Sequence, residues 1–472
     1  MSSFTRGAFQ LMAAQTVFML SGYVLNVFLA RRFGPELYGA YGVVMAVLVW
    51  AEIFVINGIP TAMQKFLAES PSATLFRLGR RMQFGYTLVI LLLFAALTPA
   101  IGAWLREPDF KKFLWIAAPD ILLYGLYWFY LGAHNGLHRF DSQALIVIFY
   151  GLSKVASSIG LVLAGVGIAG AFIGNFLGSA VGLAVGLWRL NRASLIESTA
   201  SEHYSRLTKF ATPIILYALS LNAVFYLDLL FVKHFLPPVT AGYYTAASTI
   251  ARVPYFVFLG LGFSILPVLS RTLAQQNVAE SQRLLRQTMR LLFVLLAPVL
   301  ALVIPNAGSI VAFLYTDAYQ PATSILPLLI ISIAFYTFWM VLSTIMSAAG
   351  KPDRAFQISL VAVVVDLILC WILVPRWEGR GAALATLGAS ACGMLLTGTY
   401  VLRRFGTAGI RFIIPWRSLW RAIIAGAAAW AVSLWWTASG VTLLIELTVL
   451  FGFYLFLLFL LGGLKDIRKI FV

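Results

Sequence analysis

Apolar runs of about 20 residues follow one another along the whole 472-residue chain, separated by short clusters of Gly, Pro and charge. That is the length a helix needs to cross a bilayer core. Fourteen stretches qualify: 8–30, 40–64, 83–104, 113–133, 142–165, 167–190, 210–232, 240–268, 290–314, 322–349, 355–374, 380–402, 419–437 and 442–463. The breaks between them are marked by strings such as Glu107-Pro108-Asp109, Pro237-Pro238 and Gly350-Lys351-Pro352, where Pro and Gly cannot continue a helix. Residues 271–290 read differently, as a basic amphipathic helix lying on the inner membrane surface. The first stretch is too long for a cleavable signal and has no small-x-small exit, so it reads as the first crossing. The expected fold class is an all-α membrane protein.

The pattern repeats. Ala30-Arg31-Arg32-Phe33-Gly34-Pro35 followed by Gly39-Ala40-Tyr41 recurs as Val232-Lys233-His234-Phe235-Leu236-Pro237 followed by Gly242-Tyr243-Tyr244, about 202 positions later. Gly136 to Arg139 is echoed by Gly350 to Arg354, and Gly170-Ala171 by Gly381-Ala382. Six crossings per repeat is an even number, so the repeats enter the membrane in the same direction, as parallel repeats do. This divides the chain into an N-terminal lobe (1–205, including a polar inner linker), a C-terminal lobe (206–404), and an appended helix pair with a tail (405–472). Two similar halves in a membrane chain point to a transporter.

Composition narrows the classes. With 61% hydrophobic and 11% charged residues and a mean hydropathy of +0.91, the chain is not a soluble domain. The net charge of +17 would suggest nucleic acid in a soluble protein, but its distribution explains it otherwise. With the N-terminus inside, inner segments hold 24 Lys and Arg and outer loops hold eight, a positive-inside bias that places both termini in the cytoplasm. The excess charge then meets anionic lipid. Cys370 and Cys392 lie in apolar segments and read as packing residues. No metal spacing, phosphate-binding glycine loop or hydrolase motif is present, so neither a metal cofactor nor ATP hydrolysis is expected.

Six ionisable residues fall within the crossings: Glu52, Lys154, Asp228, Arg252, Asp366 and Glu446. Each costs roughly 2.5–3.5 kcal/mol at a helix centre, so such groups face a cavity or a partner. Asp228 and Glu446 lie only about four residues in, near enough to snorkel. In the repeat, Asn26 takes the place of Asp228, Arg252 falls about one turn from Glu52, and Lys154 about one turn from Asp366. One reading is a polar lumen with Lys154 and Arg252 supplying positive charge. Asn26, Asn57, Asn222 and Tyr226 would offer hydrogen bonds to sugar hydroxyls, and Glu52, Asp228 and Asp366 are candidate coupling or gating groups. The other is structural pairing, Lys154 with Asp366 and Arg252 with Asp228.

Leu29-Ala30-Arg31-Arg32-Phe33-Gly34-Pro35-Glu36-Leu37-Tyr38-Gly39-Ala40-Tyr41 resembles the helix 1–2 hallmark of the polysaccharide transporter branch of the multidrug/oligosaccharidyl-lipid/polysaccharide (MOP) superfamily. Asp228, Gly242-Tyr243-Tyr244-Thr245-Ala246-Ala247 and Arg252-Val253-Pro254 resemble its helix 7–8 hallmark. The likeness implies two six-helix lobes in a V-shaped arrangement plus an accessory pair, fourteen crossings in all. It implies alternating-access flipping of polyprenyl-diphosphate-linked oligosaccharide to the outer leaflet of a bacterial-type inner membrane, in company with glycan-assembly proteins. A proton, Na+ or the membrane potential would drive it. In the related peptidoglycan-precursor flippases, lumen arginines on helices 1, 2 and 8 hold the diphosphate. Only Arg252 matches such a position, while helices 1 and 2 offer Asn26 and Glu52, which favours a different glycan. Two other readings stand beside this one, a cation-coupled multidrug exporter of the same superfamily and a membrane glycosyltransferase or polymerase. The latter needs a larger outer segment than the eight or so residues near Arg106 to Lys112.

Overall fold

The computed structural model describes residues 3–107, 110–190, 204–255, 272, 278–405, 415–436 and 440–463, and every regular element among them is helical. The first helix, α1 (Ser3–Asn57), has 55 residues. Straight, it would be about 80 Å long, far more than a bilayer core. It bends at Gly34, whose φ of 71° only glycine adopts freely, and Pro35 follows without a backbone N–H. Then come α2 (Ile59–Glu69), α3 (Ala73–Trp104), α4 (Phe110–Ala117), α5 (Asp120–Gly136), α6 (Phe140–Leu161), a π-helical turn at Val162–Val166, and α7 (Ala169–Arg189). The rest of the chain supplies α8 (Tyr204–Phe235), α9 (Pro238–Ala251), α10 (Val278–Val303), α11 (Ala307–Leu314) and a 3-10 segment at Asp317–Ser324. The last four are α12 (Leu326–Ala348), α13 (Pro352–Phe405), α14 (Trp416–Ser433) and α15 (Thr442–Leu460).

Ten helical stretches among the described residues are long and apolar enough to cross a membrane. Two of them, Gln10–Glu69 and Pro352–Arg403, run 60 and 52 residues, each more than twice the length of one crossing. The chain is therefore a multi-pass membrane protein. Several expected boundaries move. The third helix starts ten residues early, so Arg77 to Arg81 lie in its first turns. Of the surface helix expected at 271–290, residues 278–290 open α10 without a break before Val303, and residues 271 and 273–277 lie outside the described part. The stretch expected at 290–314 breaks between Val303 and Ala307. Of the one expected at 240–268, residues 256–268 lie outside the described part.

The polypeptide forms two compact units, Met1–Asn222 and Ala223–Val472. The repeat seen in the sequence has a local structural counterpart in each. In the first, α6 and α7 form a hairpin in which a Cβ on Gly170 would lie 3.0 Å from the Val162 nitrogen. In the second, α13 doubles back at Glu378 (φ 50°), and a Cβ on Gly381 would lie 3.0 Å from the Val374 nitrogen and 2.1 Å from the Leu373 oxygen. Gly381→Val is expected to force that hairpin apart and to lower the yield of folded, detergent-extractable protein, at about 1–3 kcal/mol or more. Size-exclusion chromatography of the extracted protein checks this.

In α3 the polarity is reversed relative to a soluble helix. Gly79, Gln83, Thr87, Thr98 and Gly102 are buried, while Val89, Leu92, Leu93 and Leu97 are more than half exposed. Apolar side chains outside and small or polar ones at helix contacts is the arrangement lipid favours. Gln83 shows why a polar residue is retained: its Nε2 donates to the oxygens of Val55 and Gly125, both at 2.8 Å. Val55 lies just before the break between α1 and α2 at Gly58, where Pro60 has no N–H to continue the ladder. Gln83→Leu is expected to leave a buried carbonyl unpaired and cost about 1–3 kcal/mol, read as a lower melting temperature in detergent. In the second unit α14 and α15 seat on α10 through Val294, Leu302, Ala425, Ala429, Leu450 and Tyr454, with the Tyr454 hydroxyl donating to the Val294 oxygen at 2.7 Å.

Candidate functional site

Each unit carries one buried cluster of charged and polar side chains. The first is built on α1, α5, α6 and α7. Glu52 lies on α1 between the Gly34 bend and the Gly58 break, and is 8% exposed. Asp120 is the first residue of α5, because Pro119 interrupts the apolar run 110–136 and restarts it as a new helix. A carboxylate there meets the unpaired N–H groups and positive dipole end of the helix. Asp120 is 1% exposed, and its Oδ2 accepts from Asn175 Nδ2 at 2.6 Å. The Ser179 hydroxyl also acts on Asp120 as a hydrogen-bond partner, while the Asn175 Oδ1 is buried with no protein partner.

Lys154 is brought close by the tight α6–α7 contact. Gly178 lies so near that a Cβ would sit 2.7 Å from the Lys154 Cβ, next to Ser179. The ammonium acts electrostatically on both Glu52 and Asp120. It also lies 5.8 Å from the Tyr150 ring, within cation–π range. Among the described residues no carboxylate oxygen comes within 4.0 Å of it. Tyr127 stacks on Tyr150 at 4.7 Å, and Tyr124 packs against both at 5.7 and 5.8 Å, walling the cluster with aromatic rings. Fully ionised, two carboxylates and one ammonium would leave one net negative charge in a low-dielectric interior.

The second cluster is built on α8, α9 and α13. Asp228, 2% exposed, accepts at Oδ2 from the Tyr244 hydroxyl (2.5 Å) and the Thr386 hydroxyl (2.9 Å), and at Oδ1 from the Leu229 N–H (2.7 Å). Arg252 caps the end of α9, donates to the Phe225 oxygen, and lies 4.3 Å from the Phe225 ring and 4.5 Å from the Tyr226 ring. It remains partly exposed and acts on Asp228, beside which a cavity of about 10 Å³ has room for roughly one water. Asp366, fully buried one turn from Cys370, lies 3.9 Å from its sulfur, carries an unpartnered Oδ2, and feels the charge of Asp228.

The sequence-level candidates therefore separate. Arg252, Tyr226 and Asp228 assemble, as do Glu52 and Lys154. Asn26 is engaged within its own helix segment, with its Oδ1 accepting from Tyr38 at 3.0 Å and its Nδ2 donating to Gly22 at 2.8 Å. Asn57 and Asn222 each donate to the carbonyl four residues earlier. Within the second unit Asp366 has the Cys370 thiol and the like-charged Asp228 as neighbours, and within the first Lys154 has Glu52 and Asp120. Snorkelling is not what Asp228 and Glu446 do, since both are buried, Glu446 completely. Asp120, Asn175, Ser179 and Thr386 are additions that the sequence reading missed. For Asp120 a signal exists, the Pro119-Asp120 pair inside an apolar run.

Comparison with known proteins adds family and fold. Residues 4–273 match the family model described as polysaccharide biosynthesis protein, and residues 213–372 match the MatE model. The chain is 23% identical over 381 residues to the protein named probable flippase AglR of Haloferax volcanii, covering 79% of this chain and 78% of that one. Among solved structures it is similar to the lipid II flippase MurJ in an inward closed conformation, with TM-score 0.77 and 17% identity, covering 95% and 97% of the two chains. It is also similar to an inward-facing multidrug resistance MATE family transporter of the MOP superfamily, with TM-score 0.71 and 14% identity, covering 83% and 94%.

Proposed function

Because the chain belongs to the polysaccharide biosynthesis protein family, in the oligosaccharide flippase branch of the MOP superfamily, we propose that it moves polyprenyl-diphosphate-linked oligosaccharide from the inner to the outer leaflet. It does so by alternating access and without covalent chemistry. The problem to be solved is electrostatic, since a diphosphate with sugars crossing hydrocarbon loses hydration worth several kcal/mol per charge. The observation that carries the reading is Arg252. It is a permanently charged fork at the C-terminal end of α9, set between two aromatic rings and only partly covered, with Tyr226 alongside to meet a sugar. Lys154 supplies the second cation. Asn57 and Asn222, whose amide nitrogens donate within their own helices, each keep an amide oxygen for hydroxyls.

The two carboxylate clusters are the proposed drive. A proton or Na+ neutralises the surplus negative charge around Glu52, Asp120 and Lys154, and Asp228 and Asp366 offer a second such place. The lobes are assigned as 1–205 and 206–404, with an accessory pair in 405–472 and fourteen crossings in total. Both termini lie in the cytoplasm of a bacterial-type inner membrane, beside glycan-assembly proteins. Purified protein in proteoliposomes is expected to expose a fluorescent lipid-linked oligosaccharide to an external lectin. A protein that instead clears a cationic dye and leaves the glycan unmoved is a multidrug exporter, the reading that the MATE likeness favours.

A further inference from the structure

On the outside of the first unit, α3, α5 and α7 enclose an open groove of about 480 Å³. Its floor is apolar, formed by Phe84, Leu126, Leu183 and Leu187, of which Phe84 and Leu187 are each 49% exposed. All four lie within spanning helices, where water is absent and hydrocarbon is the natural filling. One end of the groove is different. Arg80 and Arg81 stand one helical turn before Phe84 and Gly85, both are exposed, and neither has an ion-pair partner among the described residues. No acidic residue lines the groove.

We propose that this groove binds one anionic phospholipid, with an acyl chain along the apolar floor and the phosphate on the Arg80–Arg81 pair. Charge complementarity selects the headgroup, since two guanidiniums without ion-pair partners attract an anionic phosphate and gain less from a zwitterion, whose own cation opposes its phosphate. Mass action selects a bilayer phospholipid over the scarce carrier lipid, because a ligand that forms the solvent fills even a weak site. On the proposed topology the arginine end faces the cytoplasmic leaflet, where anionic lipid concentrates. The lipid would brace the α3–α5–α7 face against which the Glu52–Asp120–Lys154 cluster is built.

Gly85 provides a clean probe, because a Cβ there would meet nothing within 4 Å, so a larger side chain enters the groove without disturbing the fold. Native mass spectrometry of the delipidated, detergent-solubilised chain is expected to detect a retained phosphatidylglycerol but not phosphatidylcholine. Arg80→Gln/Arg81→Gln should weaken phosphatidylglycerol binding roughly 30-fold, at the usual attraction per surface arginine. Arg31→Gln/Arg32→Gln removes the same charge elsewhere and should leave binding unchanged. Gly85→Leu should lose the lipid while keeping the wild-type elution profile. Equal retention of the two phospholipids overturns the proposal. So does an equal loss from both arginine pairs, and so does displacement of phosphatidylglycerol by equimolar polyprenyl phosphate. The readout is lipid retention, so it stands or falls separately from glycan flipping.

Discussion

Lys154→Met is expected to abolish glycan flipping and to destabilise the first unit, because it leaves Glu52 and Asp120 as two buried carboxylates without the cation that acts on both. Breaking a buried charge pair costs about 3–5 kcal/mol, and the partial exposure of Lys154 puts the expected loss near the lower end. The signature is a non-additive rescue. Adding Glu52→Gln to Lys154→Met removes one of the orphaned charges and should recover most of the lost melting temperature, but not transport. If the double variant regains transport as well, the cluster is a structural element only. A cycle over the two positions measures the coupling directly, with an interaction energy of about 0.5–3 kcal/mol expected for groups in one network.

Arg252→Ala should be as damaging to transport and milder for the fold. The guanidinium lies over Phe225 and Tyr226 and donates to a backbone carbonyl at the end of α9. Truncating one partner of a hydrogen-bonded charged contact costs about 2–5 kcal/mol, so flipping should fall by about 30-fold or more while the protein still reaches the membrane. Arg252→Lys keeps the charge but loses the planar fork that stacks between two rings and pairs with a phosphate in bidentate fashion, so it should restore only a small part of the rate. Full activity in Arg252→Lys would reduce the role of this residue to charge alone.

The sequence made some of this legible and concealed the rest for physical reasons. Helical crossings follow from apolar length, and the repeat was visible in Gly34-Pro35 and Leu236-Pro237 because both mark a place where a helix must turn. The second cluster was half readable, since Asp228 and Arg252 sit in a recognisable string, but Thr386 joins them from 158 residues away and is one hydroxyl among many. The first cluster was harder. Asp120 hides in a run that is apolar enough to pass for one unbroken helix, and only Pro119 shows that the run restarts there. Asn175 and Ser179 have the composition of ordinary interhelical contacts, and their place beside Asp120 becomes evident only in three dimensions. Asn26, conversely, is conspicuous in sequence yet engaged by Tyr38 within its own unit.

The repeats also differ in the charges they carry. About one turn from the place of the Glu52 carboxylate the second repeat carries the guanidinium of Arg252, and about one turn from the place of the Lys154 ammonium it carries the carboxylate of Asp366. Each unit carries both signs of charge within its own cluster.

The most direct test compares two substrates in the same proteoliposomes: a short-chain polyprenyl-diphosphate oligosaccharide, and the same oligosaccharide joined to the polyprenol without phosphate. Lectin access to each is followed for the wild type and for Arg252→Ala. If embedded cations replace the hydration of an anionic carrier, the wild type flips only the diphosphate form and Arg252→Ala abolishes that advantage. Equal rates for the charged and uncharged lipids, unchanged by Arg252→Ala, would contradict the account.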